Sequence, residues 1–358
     1  MSFTRITTQI RGDAPGHTAE LTVFRAGPQD ARRKVYLQAA LHADEQPGTM
    51  ALHHLLPMLR DADAEDRLAA RFSIVPMASP FGMGQLLFQS HAGRYDFRSG
   101  GNFNRGWPDL FAAIGDDIAS RLTGSEEDNA LLVRSAVKAW IAGQTPATAL
   151  QRLRLALMAE AHDADIVLDL HCDDEALPHL FVTPDSMERL GALADWMGSA
   201  AQLVAEDSGG GSFDEVWPSL WTRLRAAHPG RPIPMGAVAA TVEYRGQADV
   251  SDDIGRADAQ NLFHFFVAEG LIAGDLPPAP PTAPAPTLLA ATQMLRVTEP
   301  GLLAYRVQLG DKVKKGDVVA DLIALDGPDA FLARTPVRAG TSGRVISRNA
   351  SKYVLPGT

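Results

Sequence analysis

The sequence has a single cysteine, no long apolar run and no concentration of positive charge. Cys172 is the only cysteine in the 358 residues, so a disulfide within the chain is excluded. No stretch approaches the ~20 consecutive apolar residues that a membrane-spanning helix needs. Residues 1–12 alternate polar and apolar side chains and lack the apolar core of a signal peptide. These absences predict a cytoplasmic protein that does not bind a membrane.

The charge balance excludes another class of partner. The chain has 33 Lys and Arg residues against 43 Asp and Glu residues, and its formal net charge is -10 at pH 7. Nucleic-acid binding requires clustered lysine and arginine that neutralise phosphates, whereas these residues are scattered here. The sequence therefore predicts no nucleic-acid partner. It leaves the oligomeric state open, a homo-oligomer included.

Strand and helix patterns alternate along the first 271 residues. Short apolar runs rich in β-branched residues predict strands at 3–10, 20–24, 34–41, 71–77, 165–170, 181–182 and 237–243. Apolar residues at helical spacing predict helices at 49–60, 126–163 and 258–271. Residues 206–235 are rich in Gly, Pro and Trp, and this composition predicts an irregular segment. The alternation predicts an α/β fold with a mixed sheet flanked by helices.

Composition changes abruptly after residue 275. An Ala/Pro-rich linker at 276–287, predicted to be extended and semi-rigid, separates an α/β domain at 1–275 from an all-β domain at 288–358. In the second domain, valines flank the Gly-Asp pairs at 310–311 and 316–317, a pattern that resembles a small biotinyl/lipoyl-like β domain.

That resemblance raises a function of another kind, a non-catalytic binding or carrier module. Carrier domains attach their cofactor to a lysine at a hairpin tip. The matching tip at 326–329 reads Asp-Gly-Pro-Asp, and no lysine occurs between Lys315 and Lys352. The residue that the carrier function requires is therefore missing.

Two apolar runs end in histidine. The first ends at His42, with Glu45 three residues later, and the run DIVLDL ends at His171. In open α/β sheets ligands bind at the carboxyl ends of the strands, and catalytic zinc takes three protein ligands. A plain polar strand end is the alternative for each residue alone. We predict one zinc ion per chain at these three residues, although such ligands also accept other divalent metals.

The His-x-x-Glu…His pattern resembles the site of zinc carboxypeptidases and, more closely, that of the succinylglutamate desuccinylase/aspartoacylase family of deacylases. The resemblance covers residues 35–270 and implies a zinc-carboxypeptidase-like mixed sheet with both motifs on neighbouring loops at one edge. The segment GNFNRGWP at 101–108 looks like the family's Asn-Arg segment. It implies that Asn104 and Arg105 bind the substrate carboxylate, a task suited to the planar fork of arginine.

The resemblance also implies two catalytic residues. The segment GRYD at 93–96 resembles the family's Arg-Tyr stretch, which implies that Arg94 polarises the scissile carbonyl. Arg98 is the alternative because the spacing to Asn104 is longer here, and a plain surface role is open to either arginine. Glu243, at the end of the apolar strand AVAATVE, matches the family's late glutamate, the general base that activates water.

The sequence departs from the family pattern at two places. The aspartate that orients a ligating histidine is replaced by Asn102, whose amide accepts a hydrogen bond but adds no negative charge. The Asn-Pro turn expected after the second buried strand is Ser79-Pro80. Asp169, two residues before His171, is either a support for that histidine or a plain strand-end residue.

Together these features predict a zinc-dependent deacylase that hydrolyses the amide of a small N-acyl amino acid or related compound. The alternatives are a metallocarboxypeptidase acting on peptides and the non-catalytic module. The acidic run Asp173-Asp174-Glu175 follows the third predicted ligand, and it favours a substrate with a basic group if it faces the pocket. The identities of the acyl group and the amine stay open.

Overall fold

The alternating patterns build a mixed sheet with helices on both faces. The computed structural model describes residues 2–358. The helices are α1 (Pro47–Ala64), α2 (Pro80–Met83), α3 (Leu110–Ala119), α4 (Glu126–Ala142), α5 (Ala149–Ala161), α6 (Pro184–Met197), α7 (Phe213–Ala227) and α8 (Asp252–Ala268). None of these helices is long and apolar enough to cross a membrane.

The strands of the first 288 residues are β1 (Thr4–Arg11), β2 (Thr18–Ala26), β3 (Lys34–Ala39), β4 (Arg71–Val75), β5 (Leu86–Leu87), β6 (Ser90–His91), β7 (Ile166–Asp173), β8 (Glu175–Ala176), β9 (His179–Val182), β10 (Ala201–Val204), β11 (Val238–Gly246) and β12 (Thr287–Leu288). The remaining strands are β13 (Gly301–Tyr305), β14 (Lys312–Val313), β15 (Val318–Ile323), β16 (Arg334–Arg338), β17 (Gly343–Arg344), β18 (Ser347–Arg348) and β19 (Tyr353–Val354).

The large sheet has the strand order β1-β2-β4-β3-β7-β11-β9-β10-β12. Strands β4, β3, β7 and β11 run parallel to one another, while β2 and β9 are antiparallel to their neighbours β4 and β11. The carboxyl ends of β3, β7 and β11 therefore meet at one edge of the sheet. This is the edge at which the sequence places its candidate ligands.

Each face of the sheet is covered by its own apolar core. On one face, alternate strand residues such as Leu37 and Leu168 pack with α1, α6 and α8. On the other face, Tyr36 and Val167 pack with α3, α4, α5 and α7. Since side chains alternate between the two faces of a strand, the buried polar residues of β7 that share the second face lie at positions 169 and 171.

Three local predictions are corrected by the structure. Residues 206–235 are not one irregular segment, since the 15 residues of α7 occupy half of it. The predicted helical stretch 126–163 is broken between α4 and α5, where Gly143 and Pro146 interrupt it. Strand β7 continues to Asp173, so His171 lies within the strand rather than after it.

The C-terminal segment forms small antiparallel sheets. Strands β16, β15, β13 and β19 make one sheet in that order, and β14 pairs with β17. Strand β18 pairs instead with β8, which follows β7 closely in the chain. Strand β12 joins the end of the large sheet beside β10. The domain boundaries at 275 and 288 stay predictions.

Candidate metal centre

His42, Glu45 and His171 converge at the carboxyl edge of the sheet. His42 and Glu45 lie in the turn between β3 and α1, and His171 lies on β7. One ligand atom from each side chain lies within 4.8 Å of the others, and all three residues are buried. The structure thus brings the three predicted ligands together.

The close approach of α1 to β7 depends on Gly48 in the first turn of the helix. A Cβ atom at this position would lie 2.7 Å from Leu170 Cβ and 3.0 Å from the Leu170 carbonyl oxygen. A larger residue would therefore separate the start of α1 from the strand. Since Glu45 lies only two residues before this helix, we expect the close packing at Gly48 to help set the distance between Glu45 and His171.

Hydrogen bonds fix the ring orientation of His42. Asn102 Oδ1 accepts a hydrogen bond from the Asn104 backbone N–H at 2.7 Å and lies 2.8 Å from His42 Nε2. The amide oxygen cannot donate, so Nε2 carries the proton. The other ring nitrogen, Nδ1, lies 2.9 Å from Glu45 Oε1.

His171 has an acidic neighbour at the corresponding atom. Its Nε2 lies 3.0 Å from Asp169 Oδ2, an ion-pair contact, and 3.2 Å from Asn104 Nδ2. Its Nδ1 lies 2.7 Å from Glu45 Oε2. Asp169 therefore contacts His171 directly, which fits the first of its two predicted roles, the support of that histidine. Asn102 plays the matching part for the other histidine, without a negative charge.

This donor set fits a divalent metal ion. Each Nδ1 faces an oxygen of Glu45, and such a contact is held either by a proton on Nδ1 or by a metal ion that takes its place. Two imidazoles and one carboxylate are the ligands that a catalytic zinc site takes while it leaves a position open.

Charge in the cluster responds to burial and to neighbouring groups. Burial acts to raise the pKa of Glu45, but the charges and hydrogen bonds of His171 and His42 hold it well below its ordinary value. Burial acts to lower the pKa of His171, while Asp169 and Glu45 raise it well above its ordinary value. The histidine therefore supplies the compensating positive charge in the metal-free chain.

Glu243 lies beside this cluster. It is paired in register with His171 on β7 and with His179 on β9, so the three side chains share one face of the sheet. Glu243 is partly exposed, but its Oε2 is buried and has no hydrogen-bond partner among residues 2–358. Burial raises the pKa of Glu243 to about 8, and the charge of Glu45 adds to the effect.

The two candidate arginines differ in position. Arg94 donates from Nη2 to Glu45 Oε1 at 2.6 Å, and its side chain is 38% exposed. Arg98 lies 3.4 Å from Asp13 and its side chain is 66% exposed. Arg94 is therefore the one that contacts the cluster.

Asn104 and Arg105 also differ. Asn104 is 3% exposed, its Oδ1 accepts the Phe213 backbone N–H at 2.8 Å, and its Nδ2 lies 3.4 Å from Asp169. Arg105 is exposed, and within residues 2–358 its guanidinium donates to the Asn104 carbonyl oxygen and forms no ion pair. The arginine is thus available to an anion, whereas the amide of Asn104 is engaged inside the protein.

The acidic run after β7 is divided by the C-terminal segment. Glu175 binds Arg348 at 2.9 Å and Lys352 at 2.6 Å. The Ala350 backbone N–H donates to the Asp174 carboxylate at 3.3 Å. Two of the three acidic residues are therefore bound by the C-terminal segment. Only Asp173 is left to favour a substrate with a basic group, if its side chain faces the pocket.

The sequence patterns missed two supporting residues. Arg154 on α5 donates to the carbonyl oxygens of Asn102, Arg105 and Gly106, and so holds the loop that carries the Asn-Arg pair. Its helical position gave no signal of this role. Gln38 donates to Asp169 at 2.9 Å, and here a signal existed, because a glutamine interrupts the apolar strand VYLQA.

The fold and the cluster define a mixed α/β protein with a buried His-Glu-His site able to hold a metal ion. The family model of the succinylglutamate desuccinylase/aspartoacylase catalytic domain matches residues 31–214, half of the chain. The chain belongs to this family of deacylases, as its motifs predicted. No curated protein matches the chain.

Solved structures extend the similarity of fold to the whole chain. A predicted succinylglutamate desuccinylase/aspartoacylase from Shewanella frigidimarina has a TM-score of 0.86 at 22% identity, with 100% of this chain and 95% of that chain covered. A family protein from Shewanella amazonensis has a TM-score of 0.81 at 25% identity, with 99% and 96% covered. The product-bound ectoine utilization protein EutE (DoeB) from Ruegeria pomeroyi has a TM-score of 0.65 at 19% identity, with 99% and 91% covered.

Proposed function

We propose that this protein is a zinc-dependent deacylase that hydrolyses the amide bond of a small N-acylated amino acid or related compound. One observation carries the proposal most directly. One ligand atom from each of His42, Glu45 and His171 lies within 4.8 Å of the others, and the Nδ1 atom of each histidine lies against an oxygen of Glu45. Family membership supports the reaction class.

His42, Glu45 and His171 would hold one zinc ion. When bound, zinc acts as a Lewis acid toward the substrate carbonyl and makes water a nucleophile near neutral pH. Asp169 and Asn102 lie against Nε2 of His171 and His42, and in the metal-bound protein each would accept the Nε2 proton and so present Nδ1 to the metal.

Glu243 is the proposed general base. Its side chain takes a proton from the attacking water and delivers it to the amine nitrogen as the C–N bond breaks, which leaves a carboxylate and a free amine. Its unpartnered oxygen and its position beside His171 support this role. A raised pKa suits a group that must both accept and return a proton.

Arg94 and Arg105 are proposed to act on the substrate. Arg94 lies at the cluster and can donate to the oxygen that gains negative charge when water attacks the carbonyl. Arg105 is free to pair with the substrate carboxylate in a bidentate manner. Asn104 keeps its proposed place in the substrate site through its backbone, because Arg105 is anchored on its carbonyl oxygen.

We further propose that residues 288–358 form a small biotinyl/lipoyl-like β domain that limits access to the site. The antiparallel sheet of β16, β15, β13 and β19 and the pairing of β18 with β8 support this organisation. Because the hairpin tip at 326–329 lacks a lysine, we do not assign a carrier function to it.

Metal analysis combined with a Glu243→Gln variant tests the function. We expect one zinc ion per chain in both proteins and chelator-sensitive hydrolysis of at least one of N-acetylaspartate, succinylglutamate and N-acetyl-diaminobutyrate. The variant should lower kcat by about 100-fold or more, because a positioned general base contributes on that order. Glu188→Gln, an exposed change on α6, is the matched control and should leave kcat unchanged.

Three outcomes would contradict the proposal. Substoichiometric zinc without chelator-sensitive hydrolysis would favour the non-catalytic module. Release of C-terminal residues from peptides, with no action on the N-acyl compounds, would favour a metallocarboxypeptidase. Full activity of Glu243→Gln would remove this residue from the catalytic step.

A further inference from the structure

We propose that Gln38 and Tyr36 are positioning residues of the metal centre, which act on His171 through Asp169. Neither residue contacts the candidate ligands directly. The inference rests on the proposed metal site and adds a buried polar chain behind it, running from the interior of the sheet to the third ligand.

This polar chain consists of two hydrogen bonds and one ion-pair contact. Tyr36 Oη donates to Gln38 Oε1 at 2.8 Å, and Gln38 Nε2 donates to Asp169 Oδ1 at 2.9 Å. The second oxygen of Asp169, Oδ2, lies 3.0 Å from His171 Nε2 in an ion-pair contact. Tyr36, Gln38 and Asp169 are each 0% exposed, so water does not substitute for any of these contacts.

Sheet register places these residues together. Gln38 on β3 is the direct partner of Asp169 on β7, and parallel partners point to the same face. Tyr36 lies two residues before Gln38 and so shares that face, as His171 does two residues after Asp169. Strand β3 is buried along its whole length, yet three of its six side chains, Lys34, Tyr36 and Gln38, are polar and share this face.

Each contact in this polar chain restricts the orientation of the next side chain. The carboxylate of Asp169 needs a second donor, since a buried anion with one oxygen unpaired can rotate away from the histidine. Gln38 supplies that donor. The Gln38 amide could present either its NH2 group or its oxygen to Asp169, and the hydroxyl of Tyr36 holds the oxygen on the far side. Without the hydroxyl, the amide is free to turn its oxygen toward the carboxylate.

The predicted consequence concerns metal affinity. Loss of a hydrogen-bond partner behind a ligating histidine typically weakens metal binding by about 10- to 100-fold. Gln38→Leu should fall in that range, and Tyr36→Phe should show a smaller loss because the amide can still adopt the correct orientation part of the time. Since the two residues act in series, the double variant should bind zinc no more weakly than Gln38→Leu alone.

Two buried residues of similar type serve as matched controls. Gln202 on β10 is 1% exposed, and its Nε2 has no partner among residues 2–358. Tyr244 is 1% exposed, and its hydroxyl likewise has none in that range. Gln202→Leu and Tyr244→Phe therefore make the same chemical changes in the same sheet without touching the polar chain.

The experiment measures the zinc dissociation constant by chelator competition and the absorption spectrum of the cobalt-substituted protein, for wild type and all variants. We expect weaker zinc binding and an altered cobalt spectrum in the Gln38 and Tyr36 variants, and wild-type values in both controls. Thermal unfolding of the metal-free proteins separates a loss of stability from a loss of affinity.

The outcomes distinguish this inference from the proposed function. Failure of the wild-type protein to bind zinc would overturn the metal site itself. Tight zinc binding by wild type, with the same affinity and cobalt spectrum in Gln38→Leu and Tyr36→Phe, would overturn the positioning role alone. Tyr36→Phe removes a single oxygen atom, so it keeps the test decisive if Gln38→Leu does not fold.

Discussion

At the scale of single residues, buried carboxylates differ in what compensates their charge. Asp169 is held by Gln38 and His171. Asp214, in the first turn of α7, is 5% exposed and accepts a hydrogen bond from Ser212 at 2.7 Å. Burial raises the pKa of Asp214 to about 6, although the hydrogen bond acts to lower it. Its charge is therefore poorly compensated at neutral pH.

We predict that Asp214→Asn stabilises the protein at pH 7 and above. The folded pKa lies above the unfolded value, so the native state binds more protons between about pH 4 and 6, and wild-type stability falls as pH rises through this window. A shift of roughly two pKa units corresponds to about 3 kcal/mol at most. Melting temperatures from pH 4 to pH 8 should show a gain for the variant that disappears in acid.

Asp109→Asn is the control of opposite sign. Burial acts to raise the pKa of Asp109, but the hydrogen bonds from Arg223 and the Ala112 backbone lower it overall. Stability from this residue is present at neutral pH and is lost as pH falls through the folded pKa, so the variant should be less stable at pH 7. A gain for Asp214→Asn that does not change with pH would contradict the electrostatic explanation.

The site residues that sequence could predict are those at or near the carboxyl ends of strands. His42 and His171 could be paired because parallel strands bring their carboxyl ends together. The choice between Arg94 and Arg98 could not be made, because both lie in a loop whose course is set by side chains. Gln85, for example, binds the Tyr95 carbonyl oxygen and the Phe97 backbone N–H. Such contacts produce no periodic pattern in the sequence from which they could be predicted.

At the scale of elements, α7 shows how composition can hide a helix. Its buried residues Phe213, Val216, Trp217, Leu220, Trp221 and Leu224 follow the spacing of one helical face. The apolar residues of this segment therefore have helical spacing, but Pro218 and the preceding glycines led to the prediction of an irregular segment. The break between α4 and α5 was missed for the converse reason, because long apolar stripes outweighed Gly143 and Pro146.

The start of α1 leads to a prediction about an element. Gly48→Ala would place a methyl group within 2.7 Å of Leu170 Cβ and 3.2 Å of Ala39 Cβ. Overpacking of this kind typically costs about 1–3 kcal/mol, and the shift of α1 should move Glu45 away from His171. We expect a lower urea midpoint for the metal-free protein and weaker zinc binding by chelator competition.

Gly191→Ala provides the comparison. This residue lies within α6, and the nearest atom to a Cβ there is Met187 Cε at 3.9 Å. Alanine should stabilise the helix by about 0.5–1 kcal/mol and leave zinc affinity unchanged. Equal behaviour of the two variants would show that the contact between α1 and β7 does not position Glu45.

At the scale of the whole molecule, the sheet order is the feature that local patterns could not give. The insertion of β9 between β11 and β10, antiparallel to the first and parallel to the second, depends on contacts distant in sequence. The pairing of β18 with β8 is of the same kind, since it joins residues separated by most of the C-terminal half. Neither leaves a signal in periodicity or composition.

The pairing of β18 with β8 carries the last prediction, because it attaches the C-terminal segment directly after the strand that bears His171. Leu177 donates its backbone N–H to the Ile346 carbonyl oxygen at 2.9 Å, and Arg348 and Lys352 both bind Glu175. Partly exposed ion pairs contribute about 0.2–1 kcal/mol each. Replacing both basic residues by alanine should therefore favour local opening by about 1 kcal/mol, which is about fivefold in the opening equilibrium.

Amide hydrogen exchange can measure this opening. Residues 175–177 should exchange faster in the double variant Arg348→Ala/Lys352→Ala, and wild type should approach the variant at high salt, where exposed ion pairs are screened. Arg334→Ala is the matched control, because Arg334 pairs with Asp321 within the small C-terminal sheet and does not reach β8. Unchanged exchange in the double variant, or equal acceleration in the control, would mean that backbone pairing alone holds the C-terminal segment against the strand that carries the third ligand.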